Sequence, residues 1–234
     1  RERVLEHVGV APTGEAFNAI ELDDETNRAP NPMVNAGAIA ITDLVVGADV
    51  GERVEQVRSM YERYLGRKPT IDHDVWASER QTGNRNRAIA YLMLSRGIVE
   101  DRVEETLDLY FAQCSVLVTA DDLALIGATI ANHGISPLTG ERVVAREVTR
   151  DMLTVALTCG MYDYAGEWAF SVGIPAKSGV GGGILAMLPG VGGMATFSPR
   201  LDDIGNSVRG LRVFEELSQR FDMHLFDPDR PWRR

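Results

Sequence analysis

Lysine is almost missing from this chain: of 24 Lys plus Arg residues only Lys68 and Lys177 are lysines. Cysteine is as scarce. Cys114 and Cys159 are the only two, too few for a disulfide framework and in no metal-ligand spacing, which points to a reducing, cytoplasmic location. The four histidines, His7, His73, His133 and His224, are scattered and form no HExxH or equivalent, so no metal site is expected. No apolar run reaches transmembrane length, and no signal peptide is visible in the sequence. Positive charge is outweighed to a formal net charge of −10, which argues against nucleic-acid backbone binding. Membrane and nucleic-acid partners are therefore not expected.

What is present is an ordinary globular composition, 44% hydrophobic and 25% charged over 234 residues, enough to bury a sizeable core. The segment that stands out is Gly160 to Gly190, centred on Lys177-Ser178-Gly179-Val180-Gly181-Gly182-Gly183. Glycines there let the backbone approach a ligand or take positive φ. In a chain that otherwise uses arginine, a lysine beside such a turn suggests a need for a compact charge rather than a planar fork. A glycine-rich hairpin with an incidental lysine is the plainer reading.

The N-terminal two thirds read as helices. Val4, Leu5 and Val8 form the apolar face of a helix end, and Phe17 to Leu22 alternates as a short strand would. Pro32 suits a first helical position, opening a helix of small residues over 36–46 with Asn35 in its first turn. A satisfied structural amide is the simpler role for Asn35. Val54, Val57, Met60, Tyr61 and Tyr64 form one stripe of a helix over 50–65. Ser78 to Asn86 is so polar that it reads either as a solvated loop or as the floor of a polar site, and composition favours the loop. Helices follow over 87–94 and 101–114, where Tyr110 faces the core, and Thr119 with Asp122 forms a capping box for one over 120–132. A last amphipathic helix of this run covers 142–158.

After Gly160 the pattern changes to short strands at 168–172, 176–178, 183–188 and 193–198, an antiparallel meander. A final helix over 207–221 and a surface tail over 222–234 complete the chain. The layout predicts an α+β protein, with an antiparallel sheet flanked by helices and a mostly helical region.

Five segments, NPMVNAGAI (31–39), SERQTGNRN (78–86), LDLYFAQCS (107–115), CGMYD (159–163) and PAKSGVGGGI (175–184), together resemble the serine-dependent glutaminases, in the same order over essentially the whole chain. The resemblance implies the serine β-lactamase and DD-peptidase-like fold, and hydrolysis of L-glutamine to L-glutamate and ammonia without metal or organic cofactor. It also implies a homo-oligomer, dimer or tetramer. It places substrate contacts on Asn35, Glu79, Asn86, Tyr110, Tyr162 and Val180. Glu79 would neutralise the substrate ammonium, and the Val180 N–H would serve the oxyanion. Tyr162 would assist proton transfer if a nearby cation lowers its pKa, and Lys177 is the expected cation.

The resemblance further implies a nucleophilic serine in an S-x-x-K helix upstream of the Asn35 segment. No such pair occurs here: Leu65 lies three places before Lys68 and Ile174 three before Lys177. The expectation is one N-terminally incomplete glutaminase domain over 1–234, with a remnant over 1–32, a helical region over 33–160, and the sheet with its C-terminal helix over 161–234. Without the upstream segment it would be inactive. The alternative is a non-catalytic remnant or binding protein that keeps an amino-acid pocket.

Overall fold

The computed structural model describes residues 1–229; the last residues of the surface tail, 230–234, lie outside the described residues. The chain divides into two compact units, Arg1–Arg63 with Arg67–Leu117, and Tyr64–Gly66 with the residues from Val118 on. The helical stretch expected over 33–160 is thus shared between them.

The first unit holds α1 (Glu2–Leu5), α2 (Asn35–Asp43), most of α3 (Val50–Leu65), α4 (His73–Thr82), α5 (Asn84–Ser95) and α6 (Val103–Cys114). Its core gathers Ile39 and Ala40 of α2, Ile89 and Met93 of α5, and Leu107 and Phe111 of α6. Small residues let α2 pack tightly. A Cβ on Gly37 would lie 1.9 Å from the Asn31 carbonyl oxygen, so only glycine allows the NPMV turn to lie over the helix. That turn is fixed by the Asn31 side chain, which accepts from Met33 N–H (2.9 Å) and donates to the Ala11 carbonyl (2.9 Å). Pro32 therefore belongs to the turn, and α2 begins three residues later at Asn35, a correction to the expected start. The strand expected over 17–22 does not form either. Asn35 N–H donates to the Phe17 carbonyl (2.9 Å), which is a single cross-link and not a ladder.

Two further differences concern polarity. Ser78 to Asn86 is not a loop but the end of α4, a break at Gly83, and the start of α5. Most of its polar residues are exposed, Glu79 and Asn86 are half-buried, and α4 fully buries none of its residues. Arg53, outside the apolar stripe of α3, is only 1% exposed. It donates to the Val45 and Thr42 carbonyls, both at 3.0 Å, and lies 4.0 Å from buried Asp43. Asp43 in turn accepts from Glu100 N–H, Arg102 and Thr106. Buried charge is tolerated here because it is paired and hydrogen-bonded.

The second unit contains α7 (Ala120–Ala131), α8 (Arg146–Cys159), a 3₁₀ turn at Tyr162–Tyr164, α9 (Ala165–Ser171), β1 (Ala176–Ser178), β2 (Gly183–Leu188), β3 (Gly192–Phe197) and α10 (Val208–Arg220). The strands form an antiparallel sheet in the order β1-β2-β3. The expected capping box opens α7, with Thr119 accepting from Asp122 N–H at 3.1 Å. Residues 168–172, expected as a strand, lie in and just after helix α9. Its Trp168 is buried against Phe214 of α10, and its indole N–H donates to the Ile174 carbonyl at 2.6 Å.

Strand alternation sorts the two faces of the sheet. Ile184, Ala186 and Leu188 join Trp168 and Phe214 in one core. On the other face, a Cβ on Gly127 of α7 would meet Leu185 at 2.6 Å. Register places Lys177 opposite Leu185, and Ser178 opposite Ile184, so adjacent Lys177 and Ser178 face opposite ways. No helix among the described residues is long and apolar enough to cross a membrane.

Gly160 joins α8 to the sheet. A Cβ there would lie 1.8 Å from the Ala176 carbonyl oxygen, whereas one on Gly166 in α9 would meet nothing within 4 Å. Gly160→Ala should therefore destabilise by at least about 2 kcal/mol through overpacking, and Gly166→Ala should stabilise by about 0.5–1 kcal/mol. Urea unfolding midpoints of the two variants check this; a Gly160→Ala midpoint equal to wild type would mean that the helix end and β1 are not packed this closely.

Candidate active site

The seven expected residues fall on both units, four on the first and three on the second. On the first, Asn35 opens α2 and Asn86 lies in the first turn of α5. The Asn35 amide donates to the Asn86 side-chain oxygen at 2.9 Å across 51 positions of sequence. This bond leaves part of each half-buried amide available to a ligand. Glu79 and Tyr110 come from α4 and α6, and both are half-buried. Cys114, one turn after Tyr110, brings them together. Its thiol is pushed up to about 11, first by loss of hydration, against a hydrogen bond from Tyr110 that lowers it, while the Glu79 charge raises it further. Cys114 retains accessible surface, so protein crowds the sulfur while another part of the residue meets solvent. Among the described residues the Glu79 carboxylate has no hydrogen-bonding or ion-pair partner within the protein.

On the second unit, three groups meet at one atom. The Tyr162 hydroxyl donates to the Ser178 carbonyl oxygen at 2.8 Å, and the Lys177 amine donates to the same oxygen. The amine also lies 4.3 Å from the centre of the Tyr162 ring, within range of a cation–π contact when protonated. Tyr162 takes φ of +57°, an uncommon conformation for a residue with a side chain, of the kind that clusters at functional sites.

Titration here runs opposite to expectation. Burial pushes the Tyr162 phenol up to about 12, only partly offset by its bond to Ser178. Burial also lowers the Lys177 amine to about 7. The side chain of Lys177 is half-buried as a whole, but its amine end is enclosed by protein, and the charged form loses hydration there. Lys177 is therefore not a fixed cation that acidifies Tyr162. It is an amine close to half-protonated at neutral pH beside a phenol that keeps its proton. Sequence carries no signal for this, because a pKa depends on the packing around the group.

The turn after β1 is closed by two backbone hydrogen bonds. Gly179 N–H donates to the Gly183 carbonyl and Gly182 N–H to the Gly179 carbonyl, both at 2.9 Å. The N–H groups of Val180 and Gly181 have no acceptor among the described residues. Gly182 takes φ of +99°, and a Cβ there would lie 2.6 Å from the Ser198 carbonyl oxygen, so the turn requires glycine at that point. Ser178 cannot serve as a nucleophile for Lys177. Its hydroxyl is buried on the face toward α10 and has no hydrogen-bond partner among the described residues, away from the amine.

Elsewhere in the first unit, a cavity of about 540 Å³ is lined by residues from the N-terminal segment, among them Ala11, Phe17 and Leu22, and by Val34 and Ala36 on either side of Asn35. None of the seven residues lines it, and the hydroxyl–carboxylate contact in its walls, Thr26 to Asp23 at 2.6 Å, belongs to an exposed turn. Chemistry favours the two clusters above. Among the described residues no group of three or more His, Cys, Asp or Glu is placed to hold a metal ion. The residues that sequence reasoning missed are Trp76, Arg80 and Asp108, which tie α4 to α6; the i, i+4 spacing of Trp76 and Arg80 was the one available signal.

The profile of the family described as Glutaminase matches residues 1–226. A glutaminase of Microcystis aeruginosa is 56% identical over 233 residues, covering 100% of this chain and 69% of that protein. A glutaminase of a Nostoc species is 56% identical over 227 residues, covering 97% and 68% respectively. Among solved structures, a Bacillus glutaminase superposes with a TM-score of 0.93 at 38% identity, covering 96% of this chain and 78% of that one. A probable glutaminase of Bacillus subtilis gives 0.93 at 37% identity, with 96% and 76% covered.

The lowered pKa of Lys177 has a stability consequence. Its amine titrates near 7 when folded and near 10.5 when unfolded. Above 10.5 both states hold a neutral amine and burial is free of this penalty. As pH falls from 10.5 to 7 the unfolded state binds the proton first and stability drops; below 7 the loss is complete and constant. The stability of Lys177→Met relative to wild type should thus rise as pH falls across that window. Denaturant melts at several pH values check it, and a difference that stays flat from 7 to 10.5 would show a solvated amine.

Proposed function

The chain belongs to the glutaminase family, and we propose roles in glutamine hydrolysis for each unit's cluster taken by itself: amide chemistry for Tyr162, Lys177 and the Val180 N–H, and amino-acid recognition for Asn35, Glu79, Asn86 and Tyr110. The fold is the α+β, serine β-lactamase-like one, and the reaction is hydrolysis of the L-glutamine side-chain amide to L-glutamate and ammonia. The assignment of individual residues is our reading. The observation that carries it is the meeting of the Tyr162 hydroxyl and the Lys177 amine on the Ser178 carbonyl, two residues before Val180, whose N–H has no acceptor among the described residues. Proton-handling groups and an oxyanion donor are the two things an amide hydrolysis must place together.

In this reading the Val180 N–H, with the Gly181 N–H beside it, receives the carbonyl oxygen of the amide as negative charge develops. Tyr162 acts as a neutral phenol, a hydrogen-bond donor that relays a proton, and not as a phenolate base. Lys177 near pKa 7 exchanges its proton readily at neutral pH. On the first unit, the unpaired Glu79 carboxylate takes the substrate ammonium, while Asn35, Asn86 and Tyr110 hydrogen-bond the remaining polar atoms. The acyl-forming serine implied by the resemblance is not supplied by any S-x-x-K pair in these 234 residues. Nothing in the similarities favours the non-catalytic alternative.

We also place the protein in the cytoplasm, a reading supported by its free cysteines, and expect a dimer or tetramer. On the second unit Phe170 is 86% exposed and Phe226 69%, apolar surface that a second copy would cover. Sedimentation velocity of the full-length protein decides the oligomer; a single monomeric species at micromolar concentration would remove it.

Substitution at Val180 tests the oxyanion role without changing any side-chain chemistry. In the full-length enzyme, Val180→Pro deletes the N–H and should lower kcat for ammonia release from L-glutamine by about 10²–10³. Val180→Ala keeps the N–H and should stay within about threefold of wild type. Equal loss in both variants would mean that the side chain, and not the backbone donor, matters at this position.

A further inference from the structure

We propose that Asp108 is a positioning residue for substrate recognition, holding the end of α4 that carries Glu79 against α6, which carries Tyr110. The proposal rests on the reading of Glu79 and Tyr110 as substrate contacts, and concerns what fixes their separation.

Helix α4 has little else to hold it there. None of its residues is buried; only Trp76 touches the core, as a partly buried neighbour. Its N-terminal end is tied down by backbone, since Asp72 N–H donates to the Ser115 carbonyl at 2.8 Å and Ile71 bridges Val116. At the end bearing Glu79 the Arg87 guanidinium donates to the Arg80 carbonyl at 2.7 Å and Gly83 lies close against the Phe111 ring, but the side-chain tie from α4 itself to α6 is one carboxylate. Asp108 accepts from the Trp76 indole N–H at 2.9 Å, and both of its oxygens accept from the Arg80 guanidinium. The guanidinium also lies over the Trp76 ring, 4.3 Å from its centre. An arginine engaged through two oxygens and an aromatic face has its direction fixed as well as its charge.

The arrangement has a second effect. Glu79 and Arg80 are adjacent in sequence, and an uncommitted guanidinium would be a competing partner for the Glu79 carboxylate. Asp108 occupies that cation, and Glu79 has no ion-pair partner among the described residues. An unpaired acid beside a neutralised arginine is suited to receive a ligand's ammonium. The shared influence of Glu79 and Tyr110 on the Cys114 thiol agrees with their closeness across α4 and α6.

The test uses the full-length enzyme with L-glutamine, and with 4-carbamoylbutanoate, the same amide and carboxylate without the α-ammonium. Asp108→Asn keeps an acceptor for Trp76 but loses the ion pair. Arg80→Ala changes a half-exposed side chain and should leave folding intact, so it covers the case in which Asp108→Asn folds poorly. Each should raise KM for L-glutamine about tenfold with kcat within about twofold, since a displaced binding group weakens the complex. Neither should alter kcat/KM for 4-carbamoylbutanoate. Combined with Glu79→Gln, neither should add more than about twofold to the loss that Glu79→Gln causes alone. If Glu79→Gln impairs glutamine use but Asp108→Asn and Arg80→Ala do not, or add to it in full, the positioning role is wrong. If Glu79→Gln itself leaves kcat/KM unchanged, the reading beneath the proposal fails and the proposal with it.

Discussion

The backbone of Ser178 is the point on which the second unit's chemistry depends. Its N–H donates to the Gly160 carbonyl at 3.0 Å, and its carbonyl receives both Tyr162 and Lys177. The backbone of one residue thus ties the end of α8, the strained Tyr162 and the lysine of β1 together. The arrangement requires α8 to reach the strand closely, which is why Gly160 must lack a side chain. It also sets where the following turn begins, and hence where the unpaired Val180 N–H lies. Donors fixed by the fold in this way need little reorganisation as charge develops on a substrate oxygen.

The first unit solves a different problem by different means. The groups we propose for recognition sit on helices whose outer faces are polar, so apolar burial does not determine where Glu79 goes. Directional contacts do: the Asn35–Asn86 amide pair, and the Asp108 carboxylate with Trp76 and Arg80. Deeper down, the buried Asp43 joins the end of α2 to the segment leading into α6 through Glu100 N–H, Arg102 and Thr106. Polar networks of this kind specify geometry only while every partner is present.

Much of this was legible from sequence. The helix of residues 50–65, the capping box at Thr119 and the β1 and β2 strands were found where hydrophobic period, cap chemistry and glycine placement point. The five motif segments gave the family. What was not legible has identifiable causes. Ser78 to Asn86 is polar because α4 is a surface helix, and composition cannot distinguish that from a loop. The stretch around Trp168 mixes aromatic and small residues that suit either state, and packing of the indole against Phe214 decides for helix. Arg53 breaks the polar face of α3 because a charged side chain can be buried when carbonyls and a carboxylate surround it. The protonation of Lys177 depends on the enclosure of its amine, a property of the assembled fold that no local pattern encodes.

The central claim is that burial, not an adjacent cation, sets the proton chemistry around Ser178, so that Tyr162 works as a phenol. The most direct measurement is an NMR titration of the protein labelled with ¹³C at the tyrosine ζ carbon, with the Tyr162 signal assigned by Tyr162→Phe. The account predicts that this signal keeps its phenol shift through pH 10, with a pKa near 12. A Tyr162 signal that moves to the phenolate position below pH 9 would contradict it, and would restore Lys177 as the cation that lowers the phenol's pKa.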